Sequence, residues 1–280
     1  MKFIYLEWED FCKTLSDNGQ RSVTSASVLQ ESIDRGSCKR RFITLKHDVE
    51  SCPSKALDFA RIEYKYGHRA SYYVQAYLMT EENYSIFSQI QQLGHEVSYH
   101  HDVIDGAKGD MQIAMAIYKE NLDKFEHFGF EVKTVCQHGN PVSDYANRDF
   151  FKSCIVQNIY PSQADIMVDF MYKINQRYTY ISDFGMNFKI VQDPLEEENL
   201  PEEEKYTVLG NLTGVVTEIL KHSQESFIVS AHTHRYNKSP FKAICRKYIF
   251  KVIRSMAKVL FLIPGLKKFI FRFNAITKYL

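Results

Sequence analysis

Nine consecutive residues, GHEVSYHHD from Gly94 to Asp102, hold three histidines and two carboxylates. Imidazole is the commonest neutral nitrogen ligand for metals and the side chain that titrates near neutral pH, so the run suits metal binding or acid–base work. A strand that merely carries polar side chains is the other reading, and the stretch alone does not choose. Similar groups recur further along: Asp48 and Glu50 in LKHDVESCP, His138 in VCQHGNP, Asp183 after YTYIS, and His232 and His234 after FIVSA. Two acids spaced D-x-E lie on the same side of an extended strand, so one can hold an ion while the other takes a proton from water. His232, arriving from a distant segment, can deliver a proton to a leaving group. Gly139 and Asn140 are candidates to direct a backbone N–H at an oxyanion, since glycine permits close main-chain approach.

The elements that must position these groups alternate. Strand-like RFITLKHD, ASYYVQAY, HEVSYH, VKTVCQ, SCIVQ, YTYISD and SFIVSAH are interleaved with helix-period segments at 53–67, 80–94, 109–129 and 208–223. Thr80 reads as a helix cap, and Gly67 and Gly94 as helix stops. Such alternation predicts a parallel sheet with helical crossovers, and about seven repeats predict a closed or nearly closed barrel. In that architecture strand ends share one face, so residues remote in sequence meet in one pocket. An N-terminal helical cap region and an acidic loop, QDPLEEENLPEEEKY, interrupt the order and read as surface decoration. His95 reads as bonding locally at a strand start, and His68, His127 and His222 as meeting the last carbonyls of helices.

Composition narrows the class. With 280 residues, 45% hydrophobic and 25% charged, the chain reads as one large globular domain. Six cysteines without any CxxC pair, and an N-terminus too short and acidic for a secretion signal, point to reduced thiols and a cytoplasmic location. No Gly-rich phosphate loop or nucleic-acid motif is present. The net charge of +1 is unevenly spread: residues 241–280 hold ten Lys/Arg and no acid, leaving 25 basic against 34 acidic side chains in residues 1–240. Two units are therefore expected, a barrel over 1–240 and a basic amphipathic helical tail over 241–280 broken at Pro264-Gly265. No run in the tail reaches the ~18 apolar residues needed to span a bilayer. The tail reads either as a surface element lying on the inner face of an anionic membrane or as a terminal helix packed on the domain.

The motifs, taken together, resemble the polysaccharide deacetylase family, the NodB-homology hydrolases or carbohydrate esterase family 4, and within it a divergent branch that includes WbmS-like proteins of O-antigen gene clusters. The resemblance runs from Phe42 to Tyr236 through LKHDVESCP, GHEVSYHHD, QHGNP, YISDFG and SAHTHRY, in the family's order. It implies a distorted (β/α) barrel and a divalent metal, zinc with cobalt or nickel as alternatives, serving hydrolysis of N-acetyl groups on sugars in surface polysaccharide or glycolipid synthesis. By position it implies Asp48 as general base, Glu50 and His100 as metal ligands, His232 as general acid and Asp183 as the acid that orients them. Three features depart from the family. Ile104 stands where a second histidine ligand is usual, leaving His101, Asp102 or His138 to complete the metal set. Gln137-His138-Gly139 replaces the usual arginine, and the two acids are not adjacent. The site expected is therefore Glu50, His100, Asp102 and His138 for metal, Asp48, His232 and Asp183 for catalysis, and Gly139, Asn140, His101 and His234 around the substrate. Tyr72, Tyr73, Tyr99 and Tyr236 read as core or as faces for a sugar ring. The competing function is an inactive protein of the same fold that binds carbohydrate or a partner protein.

Overall fold

The computed structural model describes residues 2–36, 40–140, 143–191, 205–245, 248–249 and 252. Nine strands form one sheet: β1 (Ile43–Val49), β2 (Ala70–Val74), β3 (Glu96–His101), β4 (Thr134–Gln137), β5 (Ala164–Asp165), β6 (Thr179–Ser182), β7 (Phe188–Val191), β8 (Tyr206–Gly210) and β9 (Phe227–Ser230). Their order is β5-β4-β3-β2-β1-β9-β6-β7-β8, and the run from β5 to β6 is parallel throughout. That is the expected count of seven parallel strands. The sheet then continues through antiparallel β7 and β8, and its end strands do not pair with each other among the described residues.

Alternation along each strand sorts side chains onto two faces. On the outer face Ile43, Leu45 and Val49 of β1 join Val97 and Tyr99 of β3 in the main core. Helices α1 (Tyr5–Asp17), α3 (Pro53–Lys65), α4 (Glu81–Gln92), α6 (Met111–His127) and α10 (Leu212–Lys221) cover it with Trp8, Phe59, Phe87, Phe125 and Ile219. The inner face carries Tyr73, Cys136, Tyr180 and Ile228, covered by Val28 and Leu29 of α2 (Ser25–Arg35) and by Phe170 and Ile174 of α9 (Phe170–Ile174). The N-terminal cap region thus buries one face of the sheet and is no surface decoration. Thr80 accepts from the Asn83 N–H at the start of α4, as its sequence predicts.

Two assignments change. SCIVQ is not a strand but opens α8 (Cys154–Ile159), with Val156 buried and Ile155 and Ile159 exposed; a short apolar run does not distinguish strand from helix by period. The helix expected from residue 208 begins only at Leu212, because Asn211 accepts from the Gly214 N–H and Gly210 adopts φ 82°, freeing 206–210 to pair with β7. The acidic loop, apart from Lys205 and Tyr206, and most of the basic tail lie outside the described residues. Among the described residues no helix is long and apolar enough to cross a membrane.

Candidate metal centre and acid–base pair

Strand β1 runs through the middle of the site. Lys46, Asp48 and Glu50 alternate with His47 and Val49, so the first three face the inner side above Cys136 and Ser230. His100 of β3 lies two strands away, and His138 follows β4, its N–H bonded to the His101 carbonyl at 2.7 Å. Glu50 Oε1 lies 3.6 Å from His100 Nε2 and 3.4 Å from His138 Nε2. Donor atoms of these three residues all fall within 4.8 Å of one another. Ligands on a tetrahedral ion at metal bonds of ~2.0–2.1 Å stand roughly 3.3 Å apart, so the spacing suits a shared cation better than direct hydrogen bonds.

The histidine chemistry agrees. His100 donates Nδ1–H to the Cys136 carbonyl at 3.0 Å, which fixes the tautomer and leaves Nε2 as the free lone pair. That Nε2 is buried and has no hydrogen-bond partner. Burial works to raise the Glu50 pKa, but the imidazoles of His100 and His138 beside it and the nearby His232 outweigh it and hold the carboxyl well below its usual range. Glu50, His100 and His138 therefore form a donor set fit for a divalent ion with an open position, the pattern of catalytic rather than closed structural sites.

Beside this set stand an acid and a base. Asp48 Oδ2 lies 3.7 Å from His232 Nε2. His232 Nδ1 donates to Asp183 Oδ1 at 2.6 Å, and Asp183 also accepts from the His232 N–H at 3.1 Å and from Arg235 at 2.7 Å. Burial favours protonation of Asp183, yet Arg235 and His232 overcome it and keep the acid ionised far below its ordinary pKa. Burial likewise opposes the Asp48 charge, but Lys46, His100 and His232 lower its pKa to about 2. Asp183 thus fixes the ring with Nε2 facing Asp48, the arrangement in which a buried acid orients a proton-carrying imidazole.

The remaining expected site residues are placed elsewhere or differently. His101 does not reach the pocket: as the neighbour of His100 on a strand it faces the opposite side, pairs with Asp165 at 2.8 Å and packs among Tyr118, Phe150 and Phe151. Asp102 stands outside both possible metal groups; it opens α5 (Val103–Gly106), and its charge bears on the outer-face Tyr99 hydroxyl. His138, and not Asp102, joins Glu50 and His100 in one group, and Ile104 is buried. His234 is buried, its ring edge-on to His232 with centroids 5.7 Å apart. Gly139 is exposed, and a Cβ there would meet nothing within 4 Å, so no close main-chain approach calls for glycine. Asn140 donates to Asp105 at 2.9 Å. Tyr72, Tyr73, Tyr99 and Tyr236 are fully buried and offer no face to a sugar, while exposed Tyr77 donates to the Glu50 carbonyl.

Two contributors are absent from the residues expected to form the site. Lys46 Nζ bonds both Asp48 oxygens at 2.7 Å and so places a buried cation against this carboxylate. Its position two residues before Asp48, on the same face, is the signal that could have found it. Asn147 accepts from the Ile104 and Asp105 N–H groups at 3.0 and 3.1 Å and donates to the His138 carbonyl at 2.8 Å, clamping the loop that presents His138. Nothing in its local sequence marks it.

No known family model and no characterised relative matches the sequence. Among solved structures the chain is similar to the peptidoglycan deacetylase PdaC of Bacillus subtilis, with a TM-score of 0.41 at 12% identity over 78% of this chain and 85% of that one. It is also similar to the family 4 carbohydrate esterase of Streptomyces lividans in complex with acetate, at 0.40 and 13% over 74% and 85%. A CE4 esterase of Streptococcus mutans gives 0.43 and 11% over 84% and 89%.

Proposed function

We propose that this chain is a metal-dependent hydrolase of the polysaccharide deacetylase family that removes N-acetyl groups from a sugar. One observation carries the hydrolase reading: a buried, partnerless His100 Nε2 faces Glu50 and His138 while Asp48 and an Asp183-oriented His232 stand 3.7 Å apart beside them. The sugar, and the divergent WbmS-like branch, rest on the sequence motifs.

An amide needs an activated water, a place for oxyanion charge and a proton for the departing amine. A divalent ion, when bound by Glu50, His100 and His138, supplies Lewis acidity that acidifies water and polarises the acyl oxygen. Asp48, ionised across the physiological range, accepts the proton of the attacking water. His232 hands a proton from Nε2 to the amine nitrogen, and Asp183 holds the ring in line throughout. Zinc suits the donor set, with cobalt or nickel as alternatives. A basic tail over 241–280 would hold the protein at the inner face of a membrane against a lipid-linked substrate.

A second reading, an inactive protein that binds carbohydrate or a partner, has one observation in its favour: both Asp48 oxygens are occupied by Lys46, and a carboxylate with a pKa of about 2 is a weak base. Acetate release from a panel of N-acetylated nucleotide-sugars and lipid-linked sugars, with and without chelator, separates the two. Chelator-sensitive release supports the hydrolase; binding of a sugar without release under any metal supports the inactive protein.

A further inference from the structure

Asp48, His100 and Cys136 form a second group whose donor atoms lie within 4.8 Å of one another, all three buried, and it shares His100 with the Glu50 set. Aspartate, imidazole and thiolate together make a strong set for a borderline divalent ion, stronger in soft donors than glutamate and two histidines. Yet a positive charge already sits there. Lys46 Nζ contacts both Asp48 oxygens at 2.7 Å, lies 3.4 Å from Ser230 Oγ, and stands 5.8 and 5.9 Å from the Tyr73 and Tyr180 ring centres. It also bears directly on the Cys136 thiol, and it is 1% exposed, so the stem cannot swing the ammonium out to solvent. An ammonium and a divalent ion cannot share that space: the Coulomb repulsion between them is several kcal/mol even at an effective dielectric of ~20.

We propose that Lys46 is a built-in cation that bars metal from the Asp48–His100–Cys136 group and so directs it to Glu50, His100 and His138, keeping Asp48 off the ion. The inference rests on the metal site proposed above. It makes Lys46 a positioning residue: without it, His100 Nε2 turns inward to an ion held by Asp48 and by the Cys136 thiolate, since a coordinating thiol gives up its proton.

Cobalt(II) substitution tests this without reference to turnover, because a cobalt–thiolate bond gives an intense near-ultraviolet charge-transfer band that carboxylate and imidazole do not. The wild type is expected to bind cobalt without that band, Lys46→Met to show it, and Lys46→Met combined with Cys136→Ser to lose it again; Lys46→Arg, which keeps the cation, should resemble the wild type. In the Lys46 background, Cys136→Ser should leave cobalt affinity within about twofold, whereas removing a true ligand or its support costs roughly tenfold or more. A thiolate band in the wild type, its absence in folded cobalt-loaded Lys46→Met, or a tenfold loss on Cys136→Ser alone each overturns the proposal while leaving a metal site standing. Failure of the wild type to bind cobalt at all removes both the proposal and the metal-dependent reading. Should Lys46→Met not fold, the Cys136→Ser affinity decides.

Discussion

The two faces of β1 carry nearly the same chemistry and do different things with it. Inward, Lys46 and Asp48 pair in the dark of the sheet; outward, one residue along, His47 pairs with Glu63 at 2.6 Å with both side chains fully buried. Around Glu63 both carboxylate oxygens are used. Glu63 accepts from His47 and Trp8 on one oxygen and from Tyr72 on the other, and the second nitrogen of His47 meets the Ala231 carbonyl. Burial works to raise the Glu63 pKa, but His47, His95 and Tyr72 together outweigh it, so the carboxylate stays charged within the core. On the inner face the pairing stops short: His100 Nε2 has no partner and Glu50 sits between two imidazoles at distances longer than hydrogen bonds. Buried charge alone therefore does not mark a site. An unspent imidazole nitrogen set against a carboxylate and a second imidazole does, because the three together offer lone pairs to one ion.

That contrast can be broken by mutation. The largest effect is expected for Asp48→Asn, which should lower turnover by ~10²- to 10⁴-fold. It should also cost roughly 3–5 kcal/mol of stability, because it strands the Lys46 charge in the core; acetate release and urea unfolding on the same preparation read both, and unchanged turnover would reject Asp48 as base. Glu63→Gln should cost a similar ~3–5 kcal/mol by stranding His47, yet leave metal content unchanged by elemental analysis. A loss of metal there would mean that the outer network supports the site.

A pH effect should come next in size. Burial lifts Asp169, on the segment before α9, to about 6, against the ordinary 3.8, with Lys173 only partly offsetting it. A raised carboxyl favours the protonated fold, so its stabilising share is full below pH ~4 and is lost as pH climbs through ~6, about 2–3 kcal/mol in all. Asp169→Asn should flatten unfolding free energy between pH 4 and 7; an unaltered slope would show that Asp169 does not titrate there. The smallest effect on folding is expected for His100→Ala, which forfeits one hydrogen bond, about 1 kcal/mol, and a small packing share while abolishing metal binding. A large destabilisation with metal retained would place His100 with the outer-face residues.

Much of this was visible in the sequence where period and position carry the information. The D-x-E spacing puts Asp48 and Glu50 on one face whatever surrounds them, and the strand–helix alternation marks six of the seven parallel strands, the seventh being β5 in place of SCIVQ; with them β9 and β2 flank β1, and β3 and β4 follow beyond β2. The same rule, applied strictly, separates His100 from His101, since neighbours on a strand cannot share a pocket. What the sequence withholds is whatever depends on depth. Tyr72 and Tyr236 look like any aromatic, and only packing shows them sealed. The β7–β8 hairpin is set by a cap at Asn211 rather than by its own pattern. The choice of His138 over Asp102 follows from loop paths, and those hang on Asn147, which lies outside the motifs.

Asn147 also bears on how such a protein can change its diet. One amide ties the turn after β3 to the turn after β4, so exposed positions beside it, such as Gly139, can vary and reshape what meets an incoming molecule while the His138 imidazole stays in place.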